Sequence, residues 1–208
     1  MLNYLINAFA TLFVTIDPIG LAPMFLALTS GSSQKERTKI ALQATMIGGG
    51  ILLVFLVAGR GLLAALGISV PAFQTAGGLL LLIIAVEMIF EIRQKRKSHT
   101  AEKVASEPDH RQLAVFPLAI PLIAGPAAIS AVILLSADAP SDLAYGGLIA
   151  VTITVVALCL ISFILASAIE KILGETAQMV LTRLLGVLLA ALAVQFIADG
   201  IRAFILAS

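Results

Sequence analysis

Two short segments of this chain combine residue types able to hold a charged solute. Asp17-Pro18-Ile19-Gly20 and Ala124-Gly125-Pro126-Ala127 each set a proline directly behind a residue suited to the start of a helix. Proline removes a backbone donor and clashes with the preceding turn, so each step ends one helix; its fixed φ then opens the next. A helix start presents unpaired amides and about half a positive charge, a combination that attracts anions. The capping residues differ between the two segments. Asp17 can occupy its own amides, whereas Gly125 has no side chain to do so. A zwitterion fits this pair, with its carboxylate on the amides after Pro126 and its ammonium near Asp17. Asp17, Pro18, Gly20, Gly125, Pro126 and Ala127 are therefore the candidate substrate-binding residues. In a plainer reading, Asp17 only satisfies a kink and Pro126 only bends a helix, both of which membrane helices tolerate.

Glu87 is the second acidic candidate, and Asp17 and Glu87 are the groups available to couple transport to an ion or proton. Glu87 lies near the end of an apolar run, so it either carries a proton or snorkels to the interface toward Arg93. Asn7, Thr11, Thr15 and Gln195 are neutral polar residues within apolar runs. They either line a path or bond across helices, as do Thr45 and Thr152. His99 and His110 lie in a charged stretch without metal-ligand spacing, and Cys159 is the only cysteine, so no metal site or cofactor is expected. Catalytic signatures are missing too: there is no Ser/His pair, no His-Glu-x-x-His and no paired intramembrane aspartates, so no enzymatic role is expected.

The elements that must position these residues follow from composition. Of 208 residues, 60% are hydrophobic and only 12% charged, and the mean hydropathy is +1.09. A single soluble core cannot bury that much apolar surface, so lipid is the solvent for most of the chain. With a net charge of +1 and no basic face, nucleic acid is excluded as a partner. A helix needs about 20 apolar residues to cross a bilayer, and six runs qualify, at 4–29, 40–59, 73–91, 113–136, 144–168 and 180–201. Continuous runs such as Leu79 to Ile84 exclude the alternation of a membrane barrel. Eleven Lys and Arg residues fall on the side of the 1–2, 3–4 and 5–6 connections, and only Arg60 and Arg202 fall opposite. The positive-inside rule makes the crowded side cytoplasmic and puts both termini outside.

An internal repeat organises the runs. At an offset of 108, Ile16-Asp17-Pro18 falls on Ala124-Gly125-Pro126, and the segment from Gly78 falls on the one from Gly186, which pairs Glu87 with Gln195. Repeats with an odd number of spans enter the membrane from opposite faces. The expected fold is thus an all-α polytopic membrane protein of two inverted three-helix repeats, 1–91 and 113–208, joined by a cytoplasmic linker at 92–112, with helices 1 and 4 broken mid-membrane.

Asn7, Phe9, Asp17-Pro18-Ile19-Gly20, Pro23 and the run from Phe116 through Pro117 and Pro121 to Gly125-Pro126 resemble the MarC family of bacterial inner-membrane proteins, over nearly the whole chain. The family often shows Gly-Pro-Gly-Ala-Ile where this chain has Gly125-Pro126-Ala127-Ala128-Ile129, a change that narrows a backbone-lined pocket. The resemblance implies six spans, kinship with LysE-type amino-acid exporters, and transport of small neutral amino acids such as alanine and glycine. Residues and resemblance together point to alternating access, driven by a proton or sodium gradient. A non-transporting assembly protein and an exporter of another small solute are the alternatives, and association of several copies is compatible with either.

Overall fold

The computed structural model describes residues 1–29, 32–90 and 114–207; the linker expected at 92–112, with His99 and His110, lies outside them. Among the described residues there is no strand. Helix α1 spans Leu2–Ile16, α2 Pro18–Leu28, α3 Gln34–Ala65 and α4 Val70–Ile89. A wider-turned π-helical segment covers Ala114–Ile123, followed by α5 at Pro126–Ala137, α6 at Asp142–Ile164 and α7 at Ala166–Ala207. Five stretches are long and apolar enough to cross a membrane: Leu2–Leu28, Gln34–Ala65, Val70–Ile89, Asp142–Ile164 and Met179–Leu206. The remaining run, expected at 113–136, is split between the π-helical segment and α5, neither of which is long enough to cross unaided.

Two elements outrun the apolar stretches that announced them. Helix α3 starts at Gln34 rather than near 40 because Ser33 and Glu36 form a capping box. The Ser33 hydroxyl accepts from the Glu36 amide, and the Glu36 carboxylate accepts from the Ser33 amide at 2.8 Å. Such reciprocal capping satisfies two orphan donors and holds a charged first turn in helix. Helix α7 begins at Ala166 and turns at Gly174 (φ 61°, ψ 170°) before its apolar part. That left-handed φ is open to glycine at little cost.

Large apolar side chains are divided between two environments. Leu12, Leu21, Leu52, Leu81 and Ile123 are fully buried, whereas Val54, Val57, Ile83 and Leu184 each leave more than half of their surface open. Outward-facing aliphatic side chains on spanning helices belong in lipid. Inside, α4 lies along α7 in the most extensive contact. Helices α1 and α2 pack on α6, the π-helical segment and α5 pack on α3, and α2 meets α7 as α5 meets α4.

Glycines set the closest approaches. A Cβ on Gly78 would stand 2.9 Å from the Ala193 carbonyl oxygen and 2.8 Å from Ile197 Cγ1. One on Gly186 would stand 3.2 Å from the Ala85 carbonyl oxygen and 3.1 Å from Ile89 Cγ1. Each contact maps onto the other by the 108-residue offset, so α4 and α7 present the same groove to one another. Small residues at such crossings let membrane helices gain van der Waals contact that larger side chains would block.

The contacts also sort the ends. Tyr4 with Leu135 and Gln74 with Asp138 gather the start of α1, the α3–α4 turn and the α5–α6 turn at one end, here termed the N-terminal end. Phe25 and Phe163 stack at the opposite end, with ring centroids 4.6 Å apart.

Gly78→Ala should lower the unfolding midpoint in detergent, reflecting an overpacking cost of about 1–3 kcal/mol. Gly50→Ala, where a Cβ meets nothing within 4 Å, should hold or raise it. Equal midpoints would remove the close-approach argument.

Candidate functional site

At the first break, Asp17 has left-handed backbone angles (φ 60°, ψ 64°) and is 2% exposed. Asp and Asn adopt this region more readily than other L-residues because their short side chains bond locally. Asp17 joins two helices through three hydrogen bonds. Its amide donates to the Phe13 carbonyl at 2.9 Å, ending α1, and its carbonyl accepts from the Leu21 amide at 3.0 Å, opening α2. Its Oδ1 accepts from the Gly20 amide, also at 3.0 Å. Gly20 is required here, since any Cβ would run into the Asp17 carboxylate. Pro18 has no N–H, so the first turn of α2 is left with the Ile19 amide alone.

The second break is built differently. Gly125 is extended (φ −79°, ψ 165°) and no side chain caps α5. Its carbonyl accepts from Ile129 at 3.0 Å. A Cβ at Gly125 would lie 2.5 Å from the Pro121 carbonyl oxygen, so only glycine permits this path. Upstream, the Ala124 amide reaches back to Ala119 at 2.9 Å, a five-residue bond of the π-helical kind. Such turns accommodate prolines that an α-helix would not, and they recur at functional sites. No side chain caps the first-turn amides of Ala127 and Ala128, although these residues are only 2% and 3% exposed.

The two breaks share a depth. From the Tyr4–Leu135 hydrogen bond, Asp17 lies thirteen residues along α1 and Gly125 ten residues back along α5. At about 1.5 Å per residue, both lie roughly 15–20 Å into the bundle, the middle of a hydrocarbon layer about 30 Å thick. Helix α1 packs on α5. Helices α2 and α5 run away from this level toward opposite ends, so their N-termini face the same mid-depth region.

Among the other sequence candidates, Thr11 and Thr15 are buried along α1 on the approach to Asp17. Asn7 is exposed and accepts from the Thr11 hydroxyl at 3.0 Å. Pro18 is buried and Pro126 exposed. Thr45 and Thr152 turn their hydroxyls back to the carbonyls of Ala41 and Leu148. Glu87 is half-buried in the last turn of α4 at the opposite end. Gln195 is exposed and donates to Asp199 at 2.8 Å. The two breaks therefore lie at a similar depth, whereas Glu87 lies at the opposite end and Gln195 is exposed.

Compared with known families, residues 2–205 match the MarC family integral membrane protein description. The chain belongs to the MarC family. It is similar to a UPF0056 membrane protein of Methanocaldococcus jannaschii, at 36% identity over 99% of both chains. The YhcE membrane protein of Escherichia coli is 37% identical over 93% of this chain and 90% of its own, and YvbG of Bacillus subtilis 33% identical over 97% and 96%. No solved structure matches the chain.

This MarC chain also carries a polar group that sequence reasoning missed. At the N-terminal end, buried Gln74 donates through Nε2 to Asp138 Oδ2 at 3.3 Å. Tyr4 donates to the Leu135 carbonyl at 2.6 Å, and Tyr145 to the Leu56 carbonyl at 3.2 Å. The available signal was Asp138 itself, an acid in a four-residue turn between apolar runs. Desolvation beside Gln74 raises the Asp138 pKa above its ordinary value, the Asp199 carboxylate adds to the rise, and Arg60 opposes it.

Two predictions follow from this geometry. Asp17→Ala removes a cap and leaves a left-handed alanine, and should cost about 1–2 kcal/mol of stability; Asp17→Asn keeps both features and should melt near the parent. A raised acid pKa means that the fold favours the neutral carboxyl, so stability falls as pH rises above the ordinary Asp value. Asp138→Asn should accordingly raise the unfolding temperature at pH 7, with the gain shrinking toward pH 4.

Proposed function

We propose that this protein is a secondary transporter of small neutral amino acids, of the alanine and glycine type, working by alternating access in the bacterial inner membrane. One observation carries the reading. The first-turn amides of α5, in the buried residues Ala127 and Ala128, have no side-chain cap, and by residue count they lie at a depth similar to that of buried Asp17. Buried polar groups are rarely left unsatisfied, and a ligand carboxylate answers the Ala127 and Ala128 amides in both charge and hydrogen bonding. Asp17 Oδ1 is engaged by Gly20, but a carboxylate has further lone pairs and can receive the substrate ammonium.

The inverted arrangement is supported by the reciprocal Gly78 and Gly186 contacts and by pairings that interchange the first three passes with the last three. On this reading, the halves rock about the site, the crowded Lys and Arg side is cytoplasmic, and both termini are outside. A proton or sodium ion couples the cycle, with Asp17 as the group whose charge it would balance. The half-buried Glu87 is the secondary candidate, at the cytoplasmic end.

Purified protein in liposomes should show saturable counterflow of radiolabelled alanine that depends on internal unlabelled alanine. Asp17→Asn, which keeps the cap, should lose at least tenfold in gradient-driven uptake. Absence of counterflow from folded protein, for alanine and glycine alike, would remove the amino-acid reading.

A further inference from the structure

The hydrogen bonds at the N-terminal end share a property that packing alone does not require. Tyr4 and Gln74 belong to the first three passes, and their acceptors, the Leu135 carbonyl and Asp138, belong to the last three. Tyr145 reaches the other way, from α6 to the Leu56 carbonyl of α3. All three bonds cross between the halves at the same end. We propose that Tyr4, Gln74, Tyr145 and Asp138 form a latch that closes the N-terminal end of the bundle between the two halves and so decides from which side the breaks are reached. This inference rests on the alternating-access reading.

The chemistry of each contact suits a reversible closure. Leu135 lies in the last turn of α5, where carbonyls have no intrahelical partner, so the Tyr4 hydroxyl satisfies a group that water would otherwise take. Gln74 is 7% exposed, and its buried amide must exchange Asp138 for water when the halves part. Water can replace each of these partners at modest net cost. A sealed apolar crossing such as Gly78 on Ala193 offers no such exchange.

Helix α1 also lies on α5 at this end, and the opposite end carries the Phe25–Phe163 stack between α2 and α6.

The test uses the full chain with Cys159→Ala and a reporter, Thr15→Cys, next to the first break. The rate of modification by a membrane-impermeant maleimide is measured from each side of the membrane, before and after Tyr4→Phe with Tyr145→Phe. These substitutions keep the rings and delete two hydroxyls. Labelling from the N-terminal side should rise roughly tenfold, the order expected for two lost hydrogen bonds, and labelling from the other side should fall or hold. Unchanged or symmetric labelling in folded protein would overturn the latch, because loosened packing raises both sides together. If the double variant does not fold, Tyr145→Phe alone carries the same comparison with a severalfold expectation. One-sided labelling without alanine counterflow would uphold the latch and reject the amino-acid reading. Counterflow without a one-sided change would do the reverse.

Discussion

Every backbone amide that lies in hydrocarbon must find a partner inside the protein, and the rest of this structure depends on that constraint. In an all-helical chain it makes any interruption of a helix a chemical event. A buried donor left unpaired costs about 1–3 kcal/mol. The first pass meets the requirement almost completely, because Asp17 closes α1 with its amide, opens α2 with its carbonyl and takes the Gly20 amide with its side chain. The fourth pass does not. Gly125 contributes a carbonyl to Ile129 but no side chain, so the first-turn amides of α5 are left without a side-chain cap. One break is joined through a buried acid, and the other is the one we propose a ligand completes.

Packing gives this asymmetry its place. Gly78 and Gly186 let α4 and α7 approach one another through equivalent surfaces, and that contact braces both halves. The broken passes lie against α3 and α6. Because α2 and α5 run toward opposite ends from a shared depth, the uncapped amides and the carboxylate come from different halves. A movement between the halves would then alter the site and its access in one step, which is how a small solute can be exposed alternately without a large internal channel.

Much of this was legible in the chain itself. The six apolar runs, the Asp17-Pro18 and Gly125-Pro126 steps and the Gly78/Gly186 correspondence rest on local rules: length in lipid, the missing proline donor and close backbone approach. The capping box at Ser33 and Glu36 was also written locally, as Ser-x-x-Glu, and it carries α3 beyond the apolar run that marked it. The π-helical path from Ala114 to Ile123 was not legible, since its five-residue bond depends on where the Ala119 carbonyl lies. The Gln74–Asp138 and Tyr4–Leu135 pairs were not legible. They join residues 64 and 131 positions apart, and nothing local distinguishes a tyrosine that bridges two halves from one that sits at a membrane interface.

The central claim is that two half-sites of opposite charge recognise the two ends of one small zwitterion, and competition binding tests it most directly. Labelled alanine bound to the purified protein would be challenged with unlabelled alanine, with propionate, which keeps only the carboxylate, and with alanine methyl ester, which keeps only the ammonium. The account predicts that alanine displaces the label and that each half-molecule competes at least a hundredfold more weakly, because each satisfies one break and leaves the other open. Propionate or the ester competing as well as alanine would contradict it, since one of the two breaks would then have no part in recognition.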